Sequence, residues 1–348
     1  MTDYQTTRFN RRRFIKTSLA AGCLAAYLPI SAFLQNKKNI ITVNGEIPAS
    51  QMGLSLIHEH VMVDFVGAAK VSPDRYTREE VFNKVLPYLK QAKELGCQTF
   101  VECTPAYLAR DPLLLKQLAD ASGLQILTNT GYYGARNDES LPPHAFTETT
   151  DQLAQRWIKE FKEGIESTGI RPGFIKIGVD EGKLSETDRK LVQAAARTHL
   201  QTGLTIAVHT GKAAGAMDEL AILKAEKVHP SAWIWVHAQA EEDMAFHVKA
   251  AKQGGWISLD GIGWDNEGKH VEMVTYMKKQ GLLSRVLVSH DAGWYHVGEP
   301  EGGKFQPFNR LFTEFIPALK QKGFTQKEID QLLIQNPMEA FIVRVRKG

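Results

Sequence analysis

Short apolar runs alternate with longer segments of helical period along most of this chain. Eight of these runs predict strands, at residues 54–63, 98–103, 125–131, 174–178, 205–209, 233–237, 256–259 and 286–289. Regular alternation of strands and helices is typical of an α/β fold with a parallel sheet. Eight units without a Pro- or Ser-rich linker favour a single (β/α)8 TIM barrel over residues 34–348. A doubly wound sheet is the structural alternative.

The segments between the predicted strands carry helix signals. Residues 77–95 place four apolar side chains on one helical face, namely Val81, Val85, Leu89 and Ala92. Thr77 and Glu80 have the spacing of a capping box at the start of this helix. Further helices are predicted at 149–167, 186–201 and 241–253, and one more follows the last strand. A short hairpin over residues 40–47, turning at Asn44-Gly45, precedes the first strand.

The first 33 residues differ in composition from the rest of the chain. Arg11-Arg12-Arg13-Phe14-Ile15-Lys16 precedes an apolar, Ala-rich run over residues 17–34, and Ile30-Ser31-Ala32 offers small residues for cleavage. This pattern resembles a twin-arginine export signal and predicts a periplasmic or secreted protein without stable membrane insertion after signal removal. An uncleaved membrane anchor is the alternative, because the length of the apolar run is borderline for a membrane span.

Charge and cysteine content exclude other classes of protein. The formal net charge is +3, and residues 1–32 alone contribute +4, so the remainder carries −1. No basic stripe is left for nucleic acid, and the expected partner is a small-molecule substrate, with a homodimer left open. Along an extended strand Cys97 and Cys103 would lie roughly 20 Å apart. No disulfide between them is therefore expected.

Residue types that bind metals or titrate recur at the ends of the predicted strands. They are His58, His60, Lys176, His209, His237 and Asp291. Active-site side chains of a (β/α)8 barrel lie at the carboxyl ends of its strands, and residues two apart on a strand share a face. His58 and His60 therefore point together, and Glu59 points away. A buried, unpaired ammonium at Lys176 would be costly, so it needs an anionic partner or a chemical modification. Two divalent ions would explain the whole set.

Short motifs surround these residues. They are Leu56-Ile57-His58-Glu59-His60, Phe174-Ile175-Lys176-Ile177-Gly178, Val208-His209-Thr210, Val236-His237-Ala238 and Ser289-His290-Asp291. Together with residues 165–173 and the closing Asn336-Pro337, they resemble the phosphotriesterase-like family of the amidohydrolase superfamily. The resemblance covers essentially the whole chain after the leader, and it implies a metal-dependent hydrolase with a binuclear site.

The resemblance also implies a role for each of these residues. Lys176 would carry a CO2-derived carbamate that bridges two metal ions about 3.5 to 4 Å apart. The implied ligands are His58, His60 and Asp291 for one ion and His209 and His237 for the other. Zn²⁺ is the expected metal, and Mn²⁺, Co²⁺ or Fe²⁺ is compatible with these ligand types. Asp291 is the implied catalytic residue, which takes a proton from the shared hydroxide and passes it to the leaving group.

Two departures from the family pattern bear on the substrate. Organophosphate-cleaving members carry a His, and lactonase members commonly an Arg, after the Asp of strand seven, whereas Asp260 is followed here by Gly261. The stretch Ala238-Gln239-Ala240-Glu241 lacks the acidic residue that completes the proton relay. Both features argue against efficient phosphotriester turnover and against assignment to the acyl-homoserine lactonases.

Polar and aromatic residues after strands three, seven and eight are the candidate substrate contacts. They are Asn129, Tyr132, Tyr133, Arg136, Trp264, Asp265, Trp294, Tyr295, His296 and Glu299. Aromatic faces beside polar groups suit a hydroxylated ring. We therefore predict hydrolysis of a lactone or carboxylic ester, sugar-derived compounds included. Phosphotriester or amide hydrolysis is the alternative. A different class, a secreted barrel that binds metals and a ligand without turnover, is disfavoured by the complete ligand set.

Overall fold

A computed structural model describes residue 1, residues 38–264 and residues 267–348. Apart from its first residue, the predicted export signal at residues 1–33 lies outside the described residues. Within the described ranges, no helix combines the length and the apolar character needed to cross a membrane.

The chain enters the fold through the predicted hairpin. Strands β1 (Asn39–Thr42) and β2 (Gly45–Pro48) pair antiparallel, with Ile40 opposite Ile47. The turn falls on Val43 and Asn44, so the predicted position was wrong by one residue. The cause is that Thr42 pairs with Gly45, and the Thr42 hydroxyl donates to the Gly45 carbonyl at 2.9 Å.

All eight predicted strands are present, with outer ends that shift by at most one residue. They are β3 (Ser55–Val63), β4 (Thr99–Glu102), β5 (Gln125–Leu127) with β6 (Asn129–Thr130), β7 (Phe174–Gly178), β8 (Ile206–His209), β9 (Trp233–Val236), β10 (Trp256–Leu259) and β11 (Val286–Val288). The third predicted strand is interrupted at Thr128 and is therefore two short strands. The sequence analysis missed one strand, β12 (Ala292–His296).

The strands form two sheets of parallel neighbours. One sheet has the order β11-β10-β9-β8-β7-β6, and the other has the order β12-β3-β4-β5. Two short connections in the chain join the edges of the two sheets. Thr128 alone separates β5 from β6, and residues 289–291 separate β11 from β12. This is an α/β fold with parallel sheets, consistent with a (β/α)8 barrel.

Helices follow the strands along the chain. The helices are α1 (Arg78–Glu94), α2 (Pro112–Ser122), α3 (Pro143–Thr147), α4 (Thr150–Glu163), α5 (Glu186–Thr202), α6 (Ala213–Ala225), α7 (Met244–Lys252), α8 (Glu267–Lys279), α9 (Ile316–Gln321), α10 (Gln326–Asp330) and α11 (Asn336–Phe341). Thr77 supplies its half of the predicted capping box, because its side chain accepts from the backbone N–H of Glu80 at the start of α1. The predicted helix 149–167 is shorter because Gly164 adopts φ +94°, which ends α4.

Side chains alternate across β7 as a strand buried on both faces requires. Phe174 packs with Ile57, Val101 and other apolar residues of one core cluster. Ile175 and Ile177 belong to the larger cluster that includes the helices. Lys176 shares the face of Phe174 and is 2% exposed. Cys97 and Cys103 are buried and free, as predicted.

Candidate metal centre

The six predicted metal-site residues line one cavity of about 40 Å³. His58 and His60 lie on β3, Lys176 lies on β7, and His209 ends β8. His237 directly follows β9, and Asp291 lies between β11 and β12. The remaining wall is aromatic and apolar, formed by Phe65, Cys103, Pro105, Leu108, Tyr133 and Trp294. Of the substrate contacts predicted from the sequence, Tyr133 and Trp294 belong to this wall.

Glu59 holds the segment that carries Asp291. It lies on the opposite face of β3 from His58 and His60, is fully buried, and accepts hydrogen bonds from the Ser289 hydroxyl at 2.7 Å and the Ala292 N–H at 2.8 Å. The His290 ring also donates to it at 2.7 Å. The pKa of Glu59 is lowered because these contacts outweigh its burial. These contacts hold the segment between β11 and β12 against β3.

Asp260 orients two of the histidines. The Nδ1 atoms of His58 and His237 lie 3.0 and 2.8 Å from its two carboxylate oxygens. Burial acts to raise the pKa of Asp260, but the adjacent His237 and His58 hold it well below its usual range. A carboxylate that accepts from Nδ1–H leaves the Nε2 lone pair of each ring free to bind a metal. The Nε2 atom of His58 is buried without a hydrogen-bond partner.

Burial keeps His60 and His209 neutral. It lowers the pKa of each well below its usual range, and the charge of Lys176 acts in the same direction. The Nδ1 atom of His60 lies 2.8 Å from the Thr104 hydroxyl, and the Nε2 atom of His209 lies 3.3 Å from the Tyr133 hydroxyl. Neutral imidazole is the form that binds metal ions.

Asp291 directs a carboxylate oxygen between the two histidines of β3. Its Oδ1 atom lies 3.1 Å from Nε2 of His60 and 3.5 Å from Nε2 of His58, without a hydrogen-bond partner. Burial raises the pKa of Asp291 to about 6. Its backbone adopts φ +55°, and the indole N–H groups of Trp264 and Trp294 donate to its carbonyl at 2.9 and 2.6 Å.

The donor set fits divalent metal ions. Among the described residues, His58, His60 and Asp291 form one group of close ligand atoms, and His58, His237 and Asp260 form another. We assign Asp260 an orienting role, because Ser258 and Gln239 also donate to its oxygens, at 2.7 and 3.1 Å. Unpartnered Nε2 and Oδ1 atoms that converge in a buried cavity are what an ion requires. Imidazole and carboxylate ligands suit Zn²⁺, Mn²⁺, Co²⁺ or Fe²⁺.

Five of the predicted substrate contacts lie at or near this cavity. Tyr133 and Trp294 form part of its wall. Trp264 is 48% exposed above Asp291. The guanidinium of Arg136 lies 4.4 Å from the ring centroid of Phe65, which stacks on Trp294. The ring of His296 also stacks on Trp294, with the two ring centroids 6.2 Å apart.

The remaining predicted contacts lie elsewhere or outside the described range. Asn129 is fully buried and donates to the carbonyls of Glu102 and Thr104. Tyr132 faces a separate groove of about 740 Å³ and lies 3.0 Å from the His144 ring. Tyr295 and Glu299 line an outer groove beside α1. Asp265 lies outside the described residues.

Sequence reasoning did not assign a site role to the residues that orient the metal ligands. Asp260 directly follows the apolar run of β10. An acidic side chain is rarely buried, so its position at the end of this run is a signal that could have identified it. Thr104 carries no comparable signal, since buried threonines are common. Phe65 and Leu108 lie on loops, and their positions depend on how the chain folds over the cavity.

Comparison with known proteins agrees with this site. A sequence model of the Phosphotriesterase family matches residues 38–341. A phosphotriesterase homology protein of Escherichia coli (strain K12) is 30% identical over 293 residues, which cover 83% of this chain and 98% of that protein. An aryldialkylphosphatase of Saccharolobus solfataricus is 27% identical over 306 residues, covering 85% and 96%. An N-acetyltaurine hydrolase of Rattus norvegicus is 25% identical over 341 residues, covering 86% and 96%.

These matches confirm the resemblance found in the motifs. The protein belongs to the phosphotriesterase family, a family of metal-dependent hydrolases.

Proposed function

We propose that this protein hydrolyses a lactone or a carboxylic ester, sugar-derived compounds included, with two divalent metal ions held in the cavity. The observation that carries the proposal is the convergence of six side chains on that cavity: His58, His60, Lys176, His209, His237 and Asp291. The proposal includes a closed (β/α)8 barrel, in which β5 continues into β6 and β11 into β12. Closure would bring the carboxyl ends of all strands to one rim.

The residues that would hold the ions divide into two groups. His58, His60 and Asp291 would hold one ion, and His209 and His237 the other. When bound, the ions would polarise the scissile bond and lower the pKa of water toward neutrality. Zn²⁺ is the metal we expect.

Lys176 would join the two groups as a carbamate. Its Nζ atom is held in the cavity, 5.9 Å from the centroid of the Tyr133 ring, and it forms no ion pair within the described residues. A bare ammonium would repel cations, whereas a carbamate formed with CO2 is an anion that attracts both. Carboxylation therefore explains why this chain buries a lysine among histidines.

Asp291 would move the proton during hydrolysis. Its Oδ1 atom faces the cavity, and the two indole N–H bonds to its carbonyl hold its backbone in place. The carboxylate would accept a proton from the attacking water and return it to the leaving alkoxide. We expect Asp291→Asn to lower kcat by a factor of about 10² to 10⁴ while most of the metal stays bound. An unchanged kcat in a metal-loaded variant would remove Asp291 from this role.

The cavity favours a compact planar reacting group. Its volume of about 40 Å³ leaves little room between Phe65, Leu108 and Trp294. An ester carbonyl is planar and brings two substituents, whereas a phosphotriester is tetrahedral and brings three. The rest of an ester substrate would then extend across the mouth, where Arg136, Trp264 and His296 offer polar and aromatic contacts. In a lactone the leaving alkoxide stays tethered, so a proton from Asp291 suffices without a relay after Asp260.

Amide and phosphotriester hydrolysis are the competing activities. Relatives named N-acetyltaurine hydrolase and aryldialkylphosphatase match the chain at 25% and 27% identity, so similarity alone does not choose between them. The deciding experiment measures kcat/KM of the metal-loaded protein for lactones, esters, amides and phosphotriesters. We expect the highest values for a lactone or ester. A tenfold or greater preference for a phosphotriester or an amide over every lactone and ester would overturn the proposed substrate class.

We also propose that residues 1–33 export the protein by the twin-arginine route. Arg11 and Arg12 form the paired guanidinium groups that such a signal requires. Replacing both by Lys should leave the precursor in the cytoplasm, as cell fractionation would show. Normal periplasmic accumulation of that variant would contradict this route.

A further inference from the structure

The hydroxyl of Thr104 lies between His60 and a backbone carbonyl. Its Oγ1 atom is 2.8 Å from Nδ1 of His60 and 2.9 Å from the carbonyl oxygen of Met62. A hydroxyl has one proton, and a carbonyl can only accept. Thr104 therefore donates to Met62 and accepts from the Nδ1–H of His60. This places the ring proton on Nδ1 and the lone pair on Nε2, which lies 3.1 Å from Oδ1 of Asp291.

We propose that Thr104 is a positioning residue that fixes the tautomer and ring orientation of His60 for metal binding. The metal part of this inference rests on the proposed function. The tautomer itself is a property of the metal-free chain and is tested separately below.

The surroundings of Thr104 keep its hydroxyl in place. Thr104 is 1% exposed, and its N–H donates to the Glu102 carboxyl at 3.2 Å. Its carbonyl accepts from the side-chain amide of Asn129 at 3.0 Å, and the same amide donates to the Glu102 carbonyl at 3.1 Å. Backbone and side chain of Thr104 are thus fixed at three points. Asn129 would affect the site through this contact rather than by touching substrate.

His60 differs in this respect from His58 and His237. Those two rings donate to the carboxylate of Asp260, which fixes the tautomer and also raises the basicity of the imidazole. His60 donates to a neutral hydroxyl, which fixes the tautomer with a smaller effect on basicity. Removing the hydroxyl leaves no buried charge, so its loss should affect His60 and the Met62 carbonyl without disrupting the whole site.

The first test measures the tautomer of His60 in the metal-free protein. Protein labelled with ¹⁵N-histidine is freed of metal by a chelator, and a His60→Gln variant assigns the ring signals. Wild type and Thr104→Ser should show His60 protonated on Nδ1, whereas Thr104→Val should show a mixture or the Nε2–H form. Thr99→Val is the matched control, because Thr99 of β4 is as buried as Thr104 and its hydroxyl donates to the Met52 carbonyl at 2.5 Å. An unchanged Nδ1–H signal in Thr104→Val would overturn the proposal.

The second test measures Zn²⁺ affinity by competition with a chelator, with bound metal counted by elemental analysis. Loss of an outer partner of a ligating histidine costs about 10- to 100-fold in affinity, so we expect this loss for one ion in Thr104→Val. Thr104→Ser and Thr99→Val should stay within about threefold of wild type. Wild-type affinity in Thr104→Val would overturn the metal part. If Thr104→Val does not fold, Thr104→Ala is measured in its place. A wild type that binds no Zn²⁺ yet shows the tautomer shift would instead contradict the proposed function.

Discussion

Two polar side chains at the carboxyl end of the parallel strands, His58 and Asp291, differ from two near the amino end, His199 and Asn336, in how their buried polar atoms are satisfied. At the carboxyl end, Nε2 of His58 and Oδ1 of Asp291 are buried without a hydrogen-bond partner. Near the amino end, His199 has a partner at both ring nitrogens, the Leu204 carbonyl at 2.7 Å and the Arg346 N–H at 2.9 Å. The Asn336 amide there donates to the carbonyls of Leu283 and Val286.

Three residues at the carboxyl end also have a strained backbone. His237, Asp291 and Trp294 adopt positive φ values of 59°, 55° and 71° at the carboxyl end. Each such conformation of a residue other than glycine costs about 1–3 kcal/mol, and each unsatisfied buried polar group costs a similar amount. At this end of the strands a bound ligand can compensate for these costs, whereas the hydrogen bonds of His199 and Asn336 near the amino end contribute stability.

The largest expected effect comes from removing Lys176. Because a carbamate on this residue would join the two groups of ligands, Lys176→Ala should lose most bound metal. Its kcat/KM should fall by about 10³-fold or more, since the metal ions contribute several kcal/mol to transition-state stabilisation. Elemental analysis and steady-state kinetics measure the two losses, and they should occur together.

Rescue and a surface control make the Lys176 result specific. Formate or propionate should restore part of the metal and part of the activity, since a short carboxylate can replace the carbamate. Lys224→Ala removes an exposed lysine from α6 and should change neither quantity. Unmodified Lys176 beside two fully occupied metal sites would contradict the carbamate.

A change at the amino end should affect stability alone. Asn336→Ala leaves the buried carbonyls of Leu283 and Val286 without their donor, so the free energy of unfolding should fall by about 2–4 kcal/mol. Denaturant titration measures this change. Metal content and kcat/KM of the folded variant should match wild type, because Asn336 bonds to Val286 at the start of β11, whereas Asp291 follows the end of that strand. Metal loss comparable to that in Lys176→Ala would break the contrast between the two ends.

The sequence predicted the strands well because each is a short apolar run with a clear boundary. Phe174–Gly178 and Trp256–Leu259 have the predicted ends. β12 was missed because Gly293 and Trp294 resemble a loop, and only contact with β3 makes them a strand. A Cβ atom at Gly293 would lie 1.7 Å from the His60 carbonyl oxygen, so glycine is required there. That requirement depends on the partner strand and cannot be derived from local propensity.

The site was predictable to the extent that it depends on strand ends. Periodicity placed His58 and His60 on one face, and the strand ends indicated Lys176, His209, His237 and Asp291. The structure brings all six to one cavity. The orienting role of Thr104 could not be predicted, because Thr104 follows β4 and acts on His60 of the neighbouring strand β3. Asn129 occupies a strand end like the metal ligands, yet its side chain bonds to the backbone of β4 and of Thr104. Which buried amide faces a ligand depends on such long-range contacts.

The smallest expected effect concerns Glu219, which lies on α6 behind the carboxyl end of the strands. It is fully buried, and burial raises its pKa to about 8. The geometry agrees with a protonated carboxyl. The Thr210 hydroxyl donates its single proton to the Val208 carbonyl at 2.9 Å. In the 2.8 Å contact between Thr210 and Glu219, the donor must therefore be the protonated carboxyl of Glu219. The other carboxyl oxygen accepts from the Trp233 indole at 2.7 Å.

This protonation state predicts how stability depends on pH. The unfolded chain loses the Glu219 proton near pH 4.5, whereas the folded chain keeps it to about pH 8. The folded state therefore binds more protons across this window, and the free energy of unfolding falls as the pH rises from about 4.5 to 8.

Glu219→Gln reproduces the neutral form, with an N–H toward Thr210 and a carbonyl toward Trp233. Relative to wild type, the variant should gain at least about 1 kcal/mol between pH 5 and pH 8, as measured by urea titration. Glu163→Gln removes a carboxyl that is 65% exposed and should keep the wild-type pH dependence. If Glu219→Gln loses stability with rising pH as steeply as wild type, Glu219 is ionised in the folded protein. Its contact with Thr210 would then lack a proton, unlike the fully hydrogen-bonded rings and amides of His199 and Asn336.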